Sequence, residues 1–231
     1  MASIPDHGSD PHLALHSGAY VERYKAKPLS RVQNLVHRMG STEGAAIADF
    51  ACGNAMLLQV LPEGFASYDG IDFSPDFIAA AREWAEETER SNYQFHCQDI
   101  CDFCECHPAR YDIAATLDFS EHIDDDLAIR IYRAIHKSLK PGGRLFLHTP
   151  NLDFFMERAK AIGIIPQFPE HIAVRNGPQT RALLEKAGFS PGGITLQTIP
   201  HYNILRVLHP LTGLPIIGKL FAARLWIEAI A

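Results

Sequence analysis

Between residues 19 and 39 the apolar positions recur at helical spacing: Tyr20, Val21 and Tyr24, then Leu29, Val32, Leu35 and Val36. Pro28 removes a backbone donor in the middle of that run and divides it into two helices. Beyond it, short β-rich runs alternate with amphipathic ones. The pattern predicts strands over residues 45–50, 66–71, 93–97, 111–117 and 144–148, with helices over 55–61, 74–91 and 125–139. Ser74-Pro75-Asp76 opens the second of these helices with a capping hydroxyl and a proline at the first helical position. Lys140-Pro141-Gly142-Gly143 closes the third. A further helix over 178–187 stops at Gly188, and two late runs, 193–199 and 225–230, have strand character. Such alternation is the signature of a mostly parallel sheet with helices on both faces, an α/β fold.

Composition and charge narrow the class. With 231 residues, 47% of them hydrophobic and 21% charged, the chain can bury the core of one domain. It divides into a tail with cap helices over 1–40 and a main domain over 41–231, which carries an apolar insertion at 203–221. Residues 1–17, with Pro, Asp, Ser and Gly around His7, His12 and His16, are expected to form a mobile tail. A net charge of −6 gives no basic face for phosphates, so no nucleic-acid partner is expected. The first 25 residues carry no apolar signal segment. Five cysteines without a secretory context point to reduced thiols and a cytoplasmic location.

Ligands of an open α/β sheet bind beyond the carboxyl ends of its strands. After the first predicted strand stands Asp49-Phe50-Ala51-Cys52-Gly53-Asn54-Ala55, whose small residues let the backbone approach a ligand closely. After the second stands Gly70-Ile71-Asp72-Phe73-Ser74, with an acid able to accept two hydrogen bonds from a ribose diol. After the third, Gln98-Asp99-Ile100 places an acid to accept from an adenine amino group. After the fourth comes Asp118-Phe119-Ser120-Glu121-His122.

Together these segments, with Lys140-Pro141-Gly142-Gly143, resemble the class I S-adenosylmethionine-dependent methyltransferase family. In that family an acid stands two residues before a Gly-x-Gly-x-Gly loop and another closes the second strand. The resemblance is dense over residues 45–150 and looser at Ala187-Gly188-Phe189. It implies a Rossmann-like, seven-stranded, mostly parallel sheet with an antiparallel last strand, and S-adenosylmethionine as cofactor. It also implies a donor site: Asp49, Ala51, Gly53 and Asn54 at the methionine end, Asp72 and Phe73 at the ribose, Asp99 and Ile100 at the adenine. Asp118 and Phe119 would line the pocket. Tyr20 and Tyr24 would fold over it from the N-terminal helix with Lys25 nearby, although the two tyrosines also suit i, i+4 packing.

The departure is at Ala51 and Ala55, which replace the outer two glycines; close approach then survives only if neither needs positive φ. Two other classes compete. A nicotinamide enzyme would need Gly-x-Gly-x-x-Gly, which the sequence from Ala51 does not supply. A degenerate member would bind the cofactor or a partner without catalysis.

Methyl transfer needs an aligned nucleophile and, for a hydroxyl, a base, for which His122 and Glu121 are the catalytic candidates. The arrangement is similar to that of ubiquinone-pathway O-methyltransferases, where an acid three residues before a Glu-His pair is linked to a divalent cation. By that resemblance Asp118, Glu121 and His122 are candidate metal ligands; packing of His122 and helix capping by Glu121 are the plain competing roles. A small, lipophilic metabolite methylated on oxygen is the leading substrate reading. His171 and Arg175 are candidates for the substrate side. The segment 96–107 packs four cysteines and two histidines without paired Cys-x-x-Cys units, and strand alternation would send Cys97 into the core. It is read as buried or loop thiols. The 203–221 insertion suits a lid, a membrane-surface contact with Arg206, Lys219 and Arg224 toward head groups, a homodimer interface, or a packed subdomain.

Overall fold

A computed structural model describes residues 18–88 and 90–231, with the side chains of Ala19 and Tyr20 excepted. The expected tail over 1–17 and the Tyr20 side chain lie outside the described residues. The strands β1 (Ala46–Phe50), β2 (Ser67–Asp72), β3 (Tyr93–Cys97), β4 (Tyr111–Leu117), β5 (Leu139–Pro150), β6 (Ile194–Ile199) and β7 (Arg224–Ile230) form one seven-stranded sheet in the order β3-β2-β1-β4-β5-β7-β6. Every pairing from β3 to β5 is parallel, and β7 is antiparallel to both β5 and β6. The strand order reverses between β1 and β4, which is where such sheets open a crevice.

Strand side chains alternate between two cores. Phe50, Ala114, Leu145, Leu147 and Ile227 face one layer with helices α5 (Ile100–Glu105), α6 (Asp125–Ser138) and α8 (Gly177–Ala187). Ile47, Ile113, Ala115, Phe146 and Trp226 face the other, built from α2 (Ser30–Met39), α3 (Met56–Val60) and α4 (Pro75–Glu86). This period of two, with apolar residues on both phases, produced the continuous hydrophobic runs of the sequence. Helix α1 (Ala19–Lys25) is separated from α2 by the bend around Pro28.

Several expectations need correction. The helix opened by Ser74, whose hydroxyl accepts from the Phe77 N–H, stops at Glu86 rather than continuing to residue 91. Strand β5 starts at Leu139 and takes in the Lys-Pro-Gly-Gly segment, with a register shift against β4 between Tyr111 and Ile113. Gly142, at φ 79°, turns its N–H onto the Ala231 carbonyl. Helix α5 was read as part of a cysteine-rich loop, and α7 (Phe155–Ala161) was not expected. Cys97 is exposed, while Cys104 is on the buried face of α5. His96 pairs with Asp69 at 2.8 Å and His107 stacks on Phe103, so that segment is used for packing. The insertion forms 3-10 turns over Ile204–Gly213 and Gly218–Phe221, with Ile204, Val207, Ile216 and Ile217 exposed. Pro210 denies it a regular α-helix. No described helix is long and apolar enough to cross a membrane.

Candidate active site

The loop after β1 is a tight arch in which Ala51, Gly53 and Ala55 have φ of 57°, 55° and 59°. Both alanines therefore stand in left-handed backbone, contrary to the condition drawn from the sequence, and the arch keeps its shape at a cost of about 1–2 kcal/mol for each. The arch is tied to the next strand by Asp72, whose carboxylate accepts the Gly53 N–H at 3.0 Å and the Ser74 N–H at 2.9 Å. Asp49 accepts the Tyr68 hydroxyl at 2.7 Å. Burial pushes the Asp49 carboxyl up to about 7 and that of Asp72 up to about 6. Asn54 Oδ1 is buried with no partner. The floor of the arch thus presents two carboxylates and one orphaned amide oxygen, an acceptor-rich surface suited to an ammonium group and to hydroxyls.

Tyr24 covers this arch. Its Cε1 lies 3.3 Å from where a Cβ on Gly53 would stand, and its ring meets Phe77 edge-on at 5.3 Å. A Cβ at position 53 would press on the Tyr24 ring, which would have to give by a few tenths of an ångström. Lys25 instead reaches Glu83 at 3.2 Å on the surface. Phe73 is 41% exposed at the end of β2, and the Cys97 thiol donates to its carbonyl, joining the second and third loops. Asp99 caps α5 through Oδ1, accepting from Cys101 at 2.7 Å and Asp102 at 3.2 Å. Ile100 packs into the core.

Beyond β4 the chain makes one 3-10 turn, Ser120–His122. Arg175 holds it: the guanidinium donates to the Ser120 carbonyl at 2.7 Å, to the Ile123 carbonyl at 2.8 Å and to Asp125 at 2.7 Å. Arg175 is therefore a clamp behind the turn and not a lining residue of the substrate side. Glu121 is buried, accepts the Thr149 hydroxyl at 3.1 Å, and is raised above the usual carboxyl range by burial. His122 Nδ1 lies 2.8 Å from the Glu170 carbonyl. A carbonyl only accepts, so Nδ1 carries the proton and Nε2 is the basic atom of the neutral ring. His171 meets His122 edge-on at 5.1 Å, and its own Nδ1 is buried without a partner. Among the described residues, Glu121, His122 and His171 bring ligand atoms within 4.8 Å of one another.

Asp118 does not join that group. At φ 56° it turns away from β4 and meets Arg31 at 2.7 Å, His148 Nδ1 at 3.0 Å and Arg224. Burial alone would raise its carboxyl, but Arg224, His148 and Arg31 outweigh burial and hold it well below the usual range. The expected set Asp118–Glu121–His122 is thus corrected: guanidinium groups occupy the acid that a cation would need. The Arg224 Nε donates to His148 Nε2 at 2.9 Å, which leaves Nδ1 as the donor to Asp118; burial and Arg224 push this neutral ring down to about 4. Tyr202 is stacked by both guanidiniums, Arg31 at 4.4 Å and Arg224 at 4.7 Å from its centroid. Lys27 Nζ sits 4.0 Å over the Tyr24 ring, and burial followed by the Arg31 charge push it down to about 8.

Sequence reasoning missed Lys27, Arg31, His148 and Tyr202, and read Arg224 as facing outward, whereas it is 8% exposed. The one local signal was a cation at the start of the apolar run 225–230.

A family model described as "Methyltransferase domain" matches residues 20–191. The ubiquinone biosynthesis O-methyltransferase of Hydrogenovibrio crunogenus (strain DSM 25203 / XCL-2) is 30% identical over 138 residues, 60% of this chain and 55% of that protein. The chain spans about half the length of the curated relatives it matches. Among solved structures, a SAM-dependent methyltransferase from Archaeoglobus fulgidus superposes with a TM-score of 0.69 at 16% identity, covering 92% of this chain and 98% of that one. Magnesium protoporphyrin IX methyltransferase from Synechocystis PCC 6803 with bound SAH does so at 0.61 and 20% identity, covering 87% and 82%. With the strand order, the arch held by Asp72 and the family match over most of its length, the chain belongs to the class I S-adenosylmethionine-dependent methyltransferase family.

Proposed function

We propose that the protein transfers a methyl group from S-adenosylmethionine to a hydroxyl of a small, lipophilic molecule, with His122 as the base. The observation that carries this reading is the pairing of an acceptor-rich arch after β1 with a histidine whose basic Nε2 is fixed by the Glu170 carbonyl. Bound S-adenosylmethionine supplies an electrophilic methyl carbon on a sulfonium. Asp49 and Asn54 would hold its ammonium, Asp72 its ribose hydroxyls and Asp99 its adenine amino group, with Phe73 and Ile100 beside the ring and Tyr24 closing the arch. Phe119, partly buried against the core, forms the wall next to the turn. His122 Nε2 takes the hydroxyl proton as the oxygen attacks, and Glu121, through Thr149, keeps the turn in place.

The test is turnover with labelled S-adenosylmethionine on a panel of phenols and aliphatic alcohols. His122→Ala should lower kcat about a hundredfold or more while S-adenosylhomocysteine still binds. Binding with no turnover on any acceptor would favour the non-catalytic reading.

A second reading adds a divalent cation, supported by the convergence of Glu121, His122 and His171. In it His171 takes the place that the family resemblance gave to Asp118, and Mg²⁺ or Zn²⁺ would raise the melting temperature of wild type but not of His171→Ala. The exposed Ile204, Val207, Ile216 and Ile217 support a lipophilic acceptor presented at a membrane surface.

A further inference from the structure

We propose that the turn Leu214–Gly218 is a docking wedge for a bilayer of anionic lipid, with Ile216 entering the acyl boundary and Arg206 and Lys219 meeting the head groups. This deepens the reading of a lipophilic acceptor and rests on it for its purpose.

The first ground is a burial that the fold does not supply. Five of the ten residues of Ile204–Gly213 are Ile, Leu or Val, yet none of the ten is buried. Ile204 is 75% exposed, Val207 62% and Ile216 92%. A run of apolar side chains left in water marks a surface that something else covers.

The second ground is backbone that holds the most exposed of them outward. Ile216 has φ 65°. Across it the Ile217 N–H donates to the Pro215 carbonyl at 2.7 Å, a γ-turn of the strained kind, and the Gly218 N–H donates to the Leu214 carbonyl at 3.0 Å. A β-branched residue rarely adopts left-handed backbone, and here it does so with its side chain in water. Gly218 is buried at the base of the turn, where a Cβ would run into the Thr212 carbonyl oxygen. The tip is therefore a built feature: strain of this kind persists where the surrounding fold imposes it, and it clusters at functional sites.

Charge selects the occupant. The chain carries −6 in all, but residues 187–227 hold no Asp or Glu, while Arg206 and Lys219, which flank the tip in the chain, are exposed. An apolar tip between two solvated cations matches an anionic lipid surface, which attracts each basic side chain and takes up the apolar ones. A second copy of the chain fits less well. A two-fold contact sets one patch against itself and would bring these cations together with no acid of the insertion to answer them. The insertion is also rooted beside the site: Tyr202, just before it, lies 3.0 Å from His148 Nε2, and Arg224, just after it, pairs with Asp118, four residues before His122. Docking by the tip therefore anchors the chain at the end of the sheet where a lipophilic acceptor would leave the bilayer.

The experiment is sedimentation of the full chain with sucrose-loaded vesicles, one set of phosphatidylcholine alone and one of equal parts phosphatidylcholine and phosphatidylglycerol. The protein should pellet with the mixed vesicles and bind the neutral ones at least about tenfold more weakly, and the preference should shrink at high salt. Ile216→Ser should weaken binding about tenfold, while Ile216→Trp should keep it and add a blue-shifted tryptophan emission when mixed vesicles are present. Arg206→Gln combined with Lys219→Gln should remove most of the preference for the mixed vesicles. These side chains are exposed, so the melting temperature should not move and the S-adenosylhomocysteine affinity should stay within about twofold of wild type. A protein that stays in the supernatant, or an Ile216→Ser variant that pellets as wild type does, would overturn the proposal. So would a wild-type dimer in analytical ultracentrifugation that Ile216→Ser dissolves, because the tip would then join copies of the chain. If the protein pellets with mixed vesicles but binds no S-adenosylhomocysteine, the methyl-transfer reading falls and the docking surface stands.

Discussion

Asp49 and Asp72, at the carboxyl ends of β1 and β2, and Asp118, beyond β4, handle charge in opposite ways. On the β1–β3 side, carboxylates stand over backbone: Asp72 binds two N–H groups of adjacent loops and Asp49 one tyrosine, with no cation near enough to pair. Burial then raises both acids. On the β4–β7 side, Asp118 is surrounded by guanidiniums from residues 87 and 106 positions away, and its carboxyl is driven down. The first group presents acceptors, the second donors. Burial penalises the ionised carboxyl in both places, and the net shift has opposite sign because the partners differ.

The sharpest way to break this comparison is Asp118→Ala. It leaves two largely buried guanidiniums unpaired and should destabilise the protein by about 3–5 kcal/mol, measured by urea unfolding, with Asp118→Asn costing less. A loss below about 1 kcal/mol would mean that water already screens the cluster.

The pH dependence tests both halves at once. Asp49 and Asp72 have folded values above those of the unfolded chain, so the native state binds the extra protons; their contribution to stability is present below about pH 4 and declines as pH rises toward 7. Asp118 has the reverse sign: its contribution is present above the ordinary carboxyl range and is lost as pH falls below it. An ammonium held by Asp49 needs the ionised acid, so S-adenosylhomocysteine affinity should fall by up to about tenfold per unit below pH 7. Asp49→Asn should flatten that profile in calorimetric titrations at several pH values.

Smaller effects sharpen the donor side alone. Ala51→Gly and Ala55→Gly relieve left-handed alanines and should each stabilise by about 1 kcal/mol, a rise of about 2–4 °C in melting temperature. If either glycine lowers stability, the entropy lost by a freer unfolded chain exceeds the relieved strain.

The sequence itself contained most of the arch after β1 and the acid that ties it to β2. Its groups come in runs of a few residues at strand ends, Asp49 to Ala55 and Gly70 to Ser74, so periodicity located the strands and the loops followed. Seven strands and their alternating faces were legible for the same reason: hydrophobic burial repeats at the period of the local structure. The helix Ile100–Glu105 was hidden because it is short and its apolar residues are one isoleucine, two cysteines and one phenylalanine, which carry weak helical preference. The cluster around Asp118 was decided only by tertiary structure. Lys27, Arg31, Asp118, His148, Tyr202 and Arg224 are scattered along the chain and meet because β7 runs antiparallel beside β5 and α2 packs on one face of the sheet. Ion pairs act through space and impose no period along the chain, so a lone arginine in the sequence does not disclose which charge it will face.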